Sequence, residues 1–164
     1  MIHQLRGGDR VIGPVITDDR GIQSAGIKVS SWGRVALNKD PTHTTLQALS
    51  GACLLIPSWL RFDEGYPHGF EDIELCARIT KMGLDIELVR EASCFHMGGH
   101  SIPHGSKLWF QHSIYGQLRF FGKRRYFPII ILMGLLQARH HRDSLIGVWQ
   151  GGLRWWHQRS SKAT

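Results

Sequence analysis

Hydrophobic and polar positions alternate differently in the two ends of this chain. Val11 to Ile16 and Ile22 to Val29 are short, β-branched-rich runs joined by the polar turn Thr17-Asp18-Asp19-Arg20-Gly21, which predicts a hairpin-like pair of strands. Trp32 to Thr45 is polar and broken by Gly33 and Pro41, so it reads as a loop, by default a surface connection with room for a substrate contact. Ala52 to Ile56 is a continuous apolar run bounded by Gly51 and Pro57, the pattern of a strand buried on both faces. Between Glu71 and Met82 the residues Ile73, Cys76, Ala77 and Ile79 fall near helical spacing, Leu75 and Met82 extend that face, and Gly83 stands where a left-handed C-cap belongs. A helix of about three turns follows from that spacing. Asp85 to Val89 and Ala92 to His96 are two further short strands.

From Gly105 onward the patterns lengthen. Ser106 to Gly122 carries Leu108, Trp109, Phe110, Ile114, Tyr115, Leu118, Phe120 and Phe121, more than one apolar helical face requires. Tyr126 to Leu136 is an apolar run of 11 residues containing Pro128 and Gly134. It falls short of the roughly 20 residues a membrane span needs, and reads as a helix buried in the protein or lying in a membrane interface. The preceding cluster Lys123-Arg124-Arg125 could meet lipid phosphates. Trp149, Trp155 and Trp156 with Arg154 and Arg159 fit either a bilayer headgroup region or a C-terminal helix that docks its tryptophans on the rest of the protein.

A chain of 164 residues, 42% of them hydrophobic, has room for one domain with a core and is expected to fold. The formal charge of +7 is unevenly placed: residues 1–104 hold 10 Lys or Arg against 12 Asp or Glu, whereas residues 105–164 hold 10 against Asp143 alone. The basic character therefore belongs to the C-terminal part, a helical extension from 105 to 164. No helix-turn-helix, zinc-finger or RNA-binding aromatic motif accompanies it, so no nucleic acid is expected, and an anionic membrane surface suits basic residues interleaved with Trp, Phe and Ile. Cys53, Cys76 and Cys94 are odd in number, lie in apolar settings and form no C-x-x-C pair, which favours buried thiols in a reducing compartment. MIHQLRGGDR has no apolar core of signal-peptide length, so the expected location is cytoplasmic, peripheral on the inner face of the cell membrane if the tail binds lipid.

Two places carry candidate chemistry. Glu71 and Asp72 occupy the first turn of the expected helix, beside backbone N–H groups without intrahelical partners and at the positive end of the dipole. Acids there stabilise ordinary helices by about 0.3–1 kcal/mol each, and pattern alone leans to that explanation. Gly65, Pro67 and Gly69, with Tyr66 and Phe70 between them, form a turn-rich approach of the kind that carries functional sites. His96 ends a strand and is followed by Met97-Gly98-Gly99. Those glycines argue against a helical His96-x-x-x-His100 pair presenting both imidazoles on one face.

Several separate motifs, in order, resemble one known family. Ser50-Gly51-Ala52-Cys53-Leu54-Leu55-Ile56, Phe62-Asp63-Glu64, Glu71-Asp72-Ile73-Glu74-Leu75-Cys76 with Arg78 and Gly83, and His96-x-x-Gly99-x-Ser101 are similar to the acceptor-side half of the family 2 glycosyltransferases, inverting enzymes with the α/β GT-A fold. Gly13-Pro14 and Gln23-x-Ala25-Gly26 resemble the preceding segment of rhamnosyltransferase-like members. The likeness covers roughly residues 1–104. It implies Asp72 as the base that takes the acceptor proton, Glu71 and Glu64 as acceptor contacts, and Gly51 and Ala52 as the small floor residues where sugar or diphosphate comes close. Asp63 is more simply structural, and Arg78 an i,i+4 partner of Glu74.

His96, with His100 as a weaker second, would complete the coordination of a divalent Mg or Mn ion in such an enzyme. The Asp-x-Asp motif that supplies the other ligands is missing, as is the βαβ nucleotide-binding half that precedes it in the family. The chain therefore reads as a truncated enzyme or a fragment of a longer reading frame. The expected partners are a nucleotide-diphosphate sugar, with rhamnose on deoxythymidine diphosphate as the guess, and a saccharide or lipid-linked acceptor in cell-surface polysaccharide synthesis. A non-catalytic remnant, or a basic membrane or nucleic-acid adaptor, is the alternative class.

Overall fold

Strand β1 (Arg10–Asp18) is the centre of the first folded unit, with one neighbour on each edge. The computed structural model describes residues 10–30, 34–43, 45–99, 101–122 and 126–160. Strand β2 (Gly21–Ser24) turns back antiparallel onto the end of β1, pairing Ile16 with Ser24 and Asp18 with Gly21, which is the expected hairpin. Strand β5 (Asp85–Phe95) runs parallel along the other edge, from Arg10 opposite Asp85 to Thr17 opposite Phe95. A parallel pair needs a long crossover, and the segment between these strands includes helix α1 (Glu71–Lys81). Val11, Val15 and Ile16 of β1 are buried, as are Ile73, Leu75, Cys76 and Ile79 of α1.

Four expectations about the strands are corrected here. The run Ile22 to Val29 is not one strand: Gly26, at φ 100°, breaks it, and β3 (Ile27–Val29) leaves to pair with β4 (Val35–Leu37) in a second sheet. A Cβ at Gly26 would lie 2.7 Å from the Leu46 side chain, so space as well as backbone angle demands glycine. Strand β4 also means that Trp32 to Thr45 is not wholly loop; Trp32 and Thr44 lie outside the described residues.

The apolar run Ala52 to Ile56 is likewise not a doubly buried strand. Ala52 is exposed, Cys53 to Ile56 are half-buried, and a single antiparallel bridge joins Leu55 to Ile12. The next pair in that register would be Cys53 with Pro14, and Pro14 has no N–H to give. Finally, Asp85 to Val89 and Ala92 to His96 are one strand with a bulge, because the register jumps from Pro14 opposite Val89 to Val15 opposite Ser93.

Helix α1 ends as its sequence predicts. Gly83 has φ 77°, the left-handed cap conformation, and its N–H reaches the Thr80 carbonyl. Glu74 and Arg78 form the expected i,i+4 pair at 3.0 and 3.1 Å. Met82, however, does not extend the buried face; it is 57% exposed.

The second unit takes Gly65–Phe70 together with the residues from Gly99 onward. Helix α2 (Lys107–Phe121) starts at Ser106, whose Oγ accepts from the Trp109 N–H at 3.2 Å, and stops at Gly122 in the left-handed conformation. Helix α3 (Phe127–Ala138) has Pro128 in its first turn, where a missing N–H costs nothing. Helix α4 (Arg142–Ser160) lies against both. Their shared core is Phe110, Ile114, Tyr115, Leu118, Ile130, Ala138, Val148 and Trp155.

Helix α4 approaches its neighbours through glycines. A Cβ at Gly147 would lie 2.2 Å from the Lys107 carbonyl oxygen, and one at Gly151 would lie 2.5 Å from that of Gln111. The segment Gly65–Phe70 packs on α2: the Arg119 guanidinium lies 5.0 Å from the Tyr66 ring centroid, and Phe70 meets Phe120 at 6.1 Å. Phe70 holds φ 73°, a conformation that costs a bulky residue about 1–3 kcal/mol and is retained by the burial of its ring.

Candidate functional site

Glu71 and Asp72 stand at the start of α1, as expected, and both are half-buried. Asp72 is tied down by backbone donors. Its Oδ2 accepts from the Gly51 N–H at 2.9 Å and its Oδ1 from the Ile73 N–H at 2.8 Å. One of these donors lies on the helix and the other on a segment 21 residues earlier in the chain. Glycine suits this approach, since a Cβ at residue 51 would lie 3.3 Å from the Asp72 Cβ, tight enough that the carboxylate would have to shift by a few tenths of an ångström. The neighbour that comes close to Gly51 is thus the Asp72 side chain itself. Ala52, next to it, is exposed.

Cys76 follows Asp72 by one helical turn and is fully buried. The Leu49 N–H donates to its Sγ at 3.5 Å, and burial pushes the thiol up to about 11. It is protonated at neutral pH and serves the core, in line with a buried thiol. Cys53 and Cys94 differ from it. Both are half-buried, and their thiols are hydrogen-bonded to each other; burial and the Cys94 thiol raise the Cys53 thiol above its ordinary value. This contact brings the segment just after Gly51 against β5, two residues before His96.

His96 continues the pairing of β5 by donating its backbone N–H to the Thr17 carbonyl at 2.8 Å. Its Nδ1 meets Gln23 Oε1 at 3.1 Å. A carbonyl oxygen only accepts, so in this contact Nδ1 is the donor and Nε2 is the ring nitrogen left over. A ring oriented in this way through its far nitrogen is what a metal-ligating histidine requires. Among the described residues, however, no three His, Cys, Asp or Glu side chains gather into a group that could hold a metal ion. His96 alone does not make a metal site among the described residues. His100 lies outside the described residues, as does the cluster Lys123-Arg124-Arg125.

Glu64 is exposed at the end of the first unit. Two features of the first unit escaped sequence reasoning. The thiol pair Cys53–Cys94 joins residues 41 apart whose spacing carries no signal, and Gln23 as the orienting partner of His96 depends on the β2–β1–β5 strand order. In the second unit, His68 and His112 face each other at 6.3 Å between ring centroids. Burial, Arg154 and His68 together hold the His112 imidazole below its ordinary value, and its Nδ1 is enclosed without a hydrogen-bond partner. No matching family model, curated protein or solved structure was found for this chain.

Proposed function

We propose that the first unit is the acceptor side of an inverting, family 2-like glycosyltransferase with a GT-A fold, acting in cell-surface polysaccharide synthesis. The observation that carries this reading is the Gly51–Asp72 hydrogen bond, which joins two motifs of the family resemblance that lie far apart in the chain. The Gln23–His96 contact joins two more. A chance likeness of short motifs gives no reason for their members to meet.

An inverting transfer displaces the nucleotide diphosphate by in-line attack of an acceptor hydroxyl on the anomeric carbon, and one group must take the hydroxyl proton. Asp72 is assigned that role, its direction fixed by the Gly51 and Ile73 N–H groups. Glu71 and Glu64 are assigned to acceptor hydroxyls, and Gly51 and Ala52 to the floor beneath the sugar. A divalent Mg or Mn ion would neutralise the departing diphosphate; of its ligands this chain offers His96 through Nε2. The donor class is a nucleotide-diphosphate sugar, and the acceptor a saccharide, free or lipid-linked.

The test is transfer of labelled sugar from a panel of nucleotide-diphosphate donors, measured with this chain joined to a nucleotide-binding half of the same family. Asp72→Asn is expected to lower turnover by about 10²–10⁴-fold while donor binding holds, since a general base contributes on that order. A second reading has its own support: the same carboxylate could act only as a staple between the 51 turn and α1. In that case Asp72→Asn lowers the melting temperature and leaves turnover intact. Absence of transfer from every donor, with no acceptor binding to the first unit, would assign the chain to the non-catalytic class.

A further inference from the structure

We propose that the outer faces of α3 and α4 form a docking surface for an anionic lipid bilayer. This inference does not depend on the sugar-transfer reading, and its failure would leave that reading standing.

The surface is apolar in a way the fold does not require. On α3 the residues Ile129, Leu132, Met133 and Leu136 recur at helical spacing and are 40%, 57%, 45% and 48% exposed. On α4, Ile146, Trp149, Leu153 and Trp156 form a second outward stripe, with Trp149 60% exposed. Between the helices runs a groove lined by Phe127, Ile131, Trp149, Gly152, Leu153 and Trp156, through which the α4 stripe meets Phe127 and Ile131 of α3. Helix α3 contains no charged residue from Phe127 to Ala138, yet it has only 12 residues and no described helix is long and apolar enough to cross a membrane. A short apolar helix beside a Trp-bearing one suits insertion to the depth of the headgroup and acyl boundary.

Charge selects lipid over a second copy of the chain. The link from α3 to α4, Arg139-His140-His141, is exposed, as is Arg142 at the start of α4, and His157 and Arg159 lie at the other end of α4. Residues 105–164 hold 10 Lys or Arg against one acid. A two-fold dimer would set this patch against itself and bring like charges together, whereas an anionic leaflet attracts basic groups within a Debye length. The tryptophans fit the same occupant, because their rings favour the level of the headgroups.

The experiment is flotation of the full chain with vesicles, followed by tryptophan emission. Binding to mixed phosphatidylcholine and phosphatidylglycerol vesicles is expected, with a blue shift and quenching by brominated acyl chains. Binding should weaken by about tenfold or more on pure phosphatidylcholine. Trp149→Ser with Trp156→Ser removes two rings that are 60% and 45% exposed and lie outside the shared core, Trp156 also touching Phe127 and Trp155; with circular dichroism and melting checked against the parent, vesicle affinity is expected to fall about tenfold. No binding at low salt would overturn the proposal. So would binding that the double variant leaves unchanged, which would mean charge attraction without insertion. A dimer in sedimentation equilibrium that the double variant abolishes would also overturn it, and would assign the surface to a second copy.

Discussion

Helices α1 and α3 are nearly equal in length and opposite in design. Helix α1 has acids in its first turn, bases in its last, and a buried face made of Ile73, Leu75, Cys76 and Ile79. Helix α3 has no acid in its first turn and no base in its last, no side-chain N-cap, and only Ile130, Gly134 and Ala138 buried. The first helix spends its apolar residues on its own unit; the second carries far more than its unit can cover. Amphipathic period therefore explains α1 as a structural element, while the apolar circumference of α3 calls for something outside the fold.

The comparison breaks most directly at matched leucines. Leu75 is fully buried, so Leu75→Ala should destabilise the first unit by about 2–5 kcal/mol in urea melts, through lost burial plus the cavity left behind. Leu132 is 57% exposed, and Leu132→Ala should change the stability of the second unit by less than about 0.5 kcal/mol. A large loss at Leu132 would mean that the outer face of α3, and not only its Ile130 and Ala138 side, is structural.

Next in size is the packing that turns the large residues of α4 outward. Gly147 and Gly151 let α4 lie on the backbone of α2, which leaves Trp149 and Leu153 on the far side. Gly151→Val should cost about 1–3 kcal/mol by overpacking against Gln111 and Ile114, despite the better helix propensity of valine. An unchanged melt would show that α4 can slide away from α2, and the outward stripe would lose its structural cause.

How much of this was legible in the chain follows from where the information resides. Local signals were read correctly: Ser106 and Gly122 bound α2, Gly83 closes α1, and Glu74 pairs with Arg78. These depend on neighbours within a turn or two. Misread segments were decided by distant partners. Whether Ala52 to Ile56 becomes a strand depends on Pro14, some forty residues away in the chain, and the split of Ile22 to Val29 depends on Leu46 standing over Gly26. The terminal tryptophans show both rules at once, for Trp155 is buried and stacks on Phe127 at 5.6 Å while Trp156, its neighbour, is 45% exposed. Of the candidate site, Asp72 could be placed on its helix from sequence, but its bond to Gly51 could not.

A smaller effect tests the polar side of the same contrast. At the start of α1 the Asp72 carboxylate is met by backbone donors, whereas in the second unit the His112 Nδ1 is enclosed without a hydrogen-bond partner. Burial together with Arg154 and His68 depresses the His112 pKa in the folded chain. The unfolded state then binds the proton more readily, so the contribution of neutral His112 is present above its unfolded value of about 6.5 and is lost as pH falls below it. The unit holds other histidines, so the comparison must be between variants. Urea melts of the second unit at pH 7 and pH 5 should show a loss of stability on acidification that shrinks in His112→Gln, since glutamine carries no titrating proton. An equal loss in both proteins would place the acid sensitivity at another residue and remove the enclosed imidazole as its source.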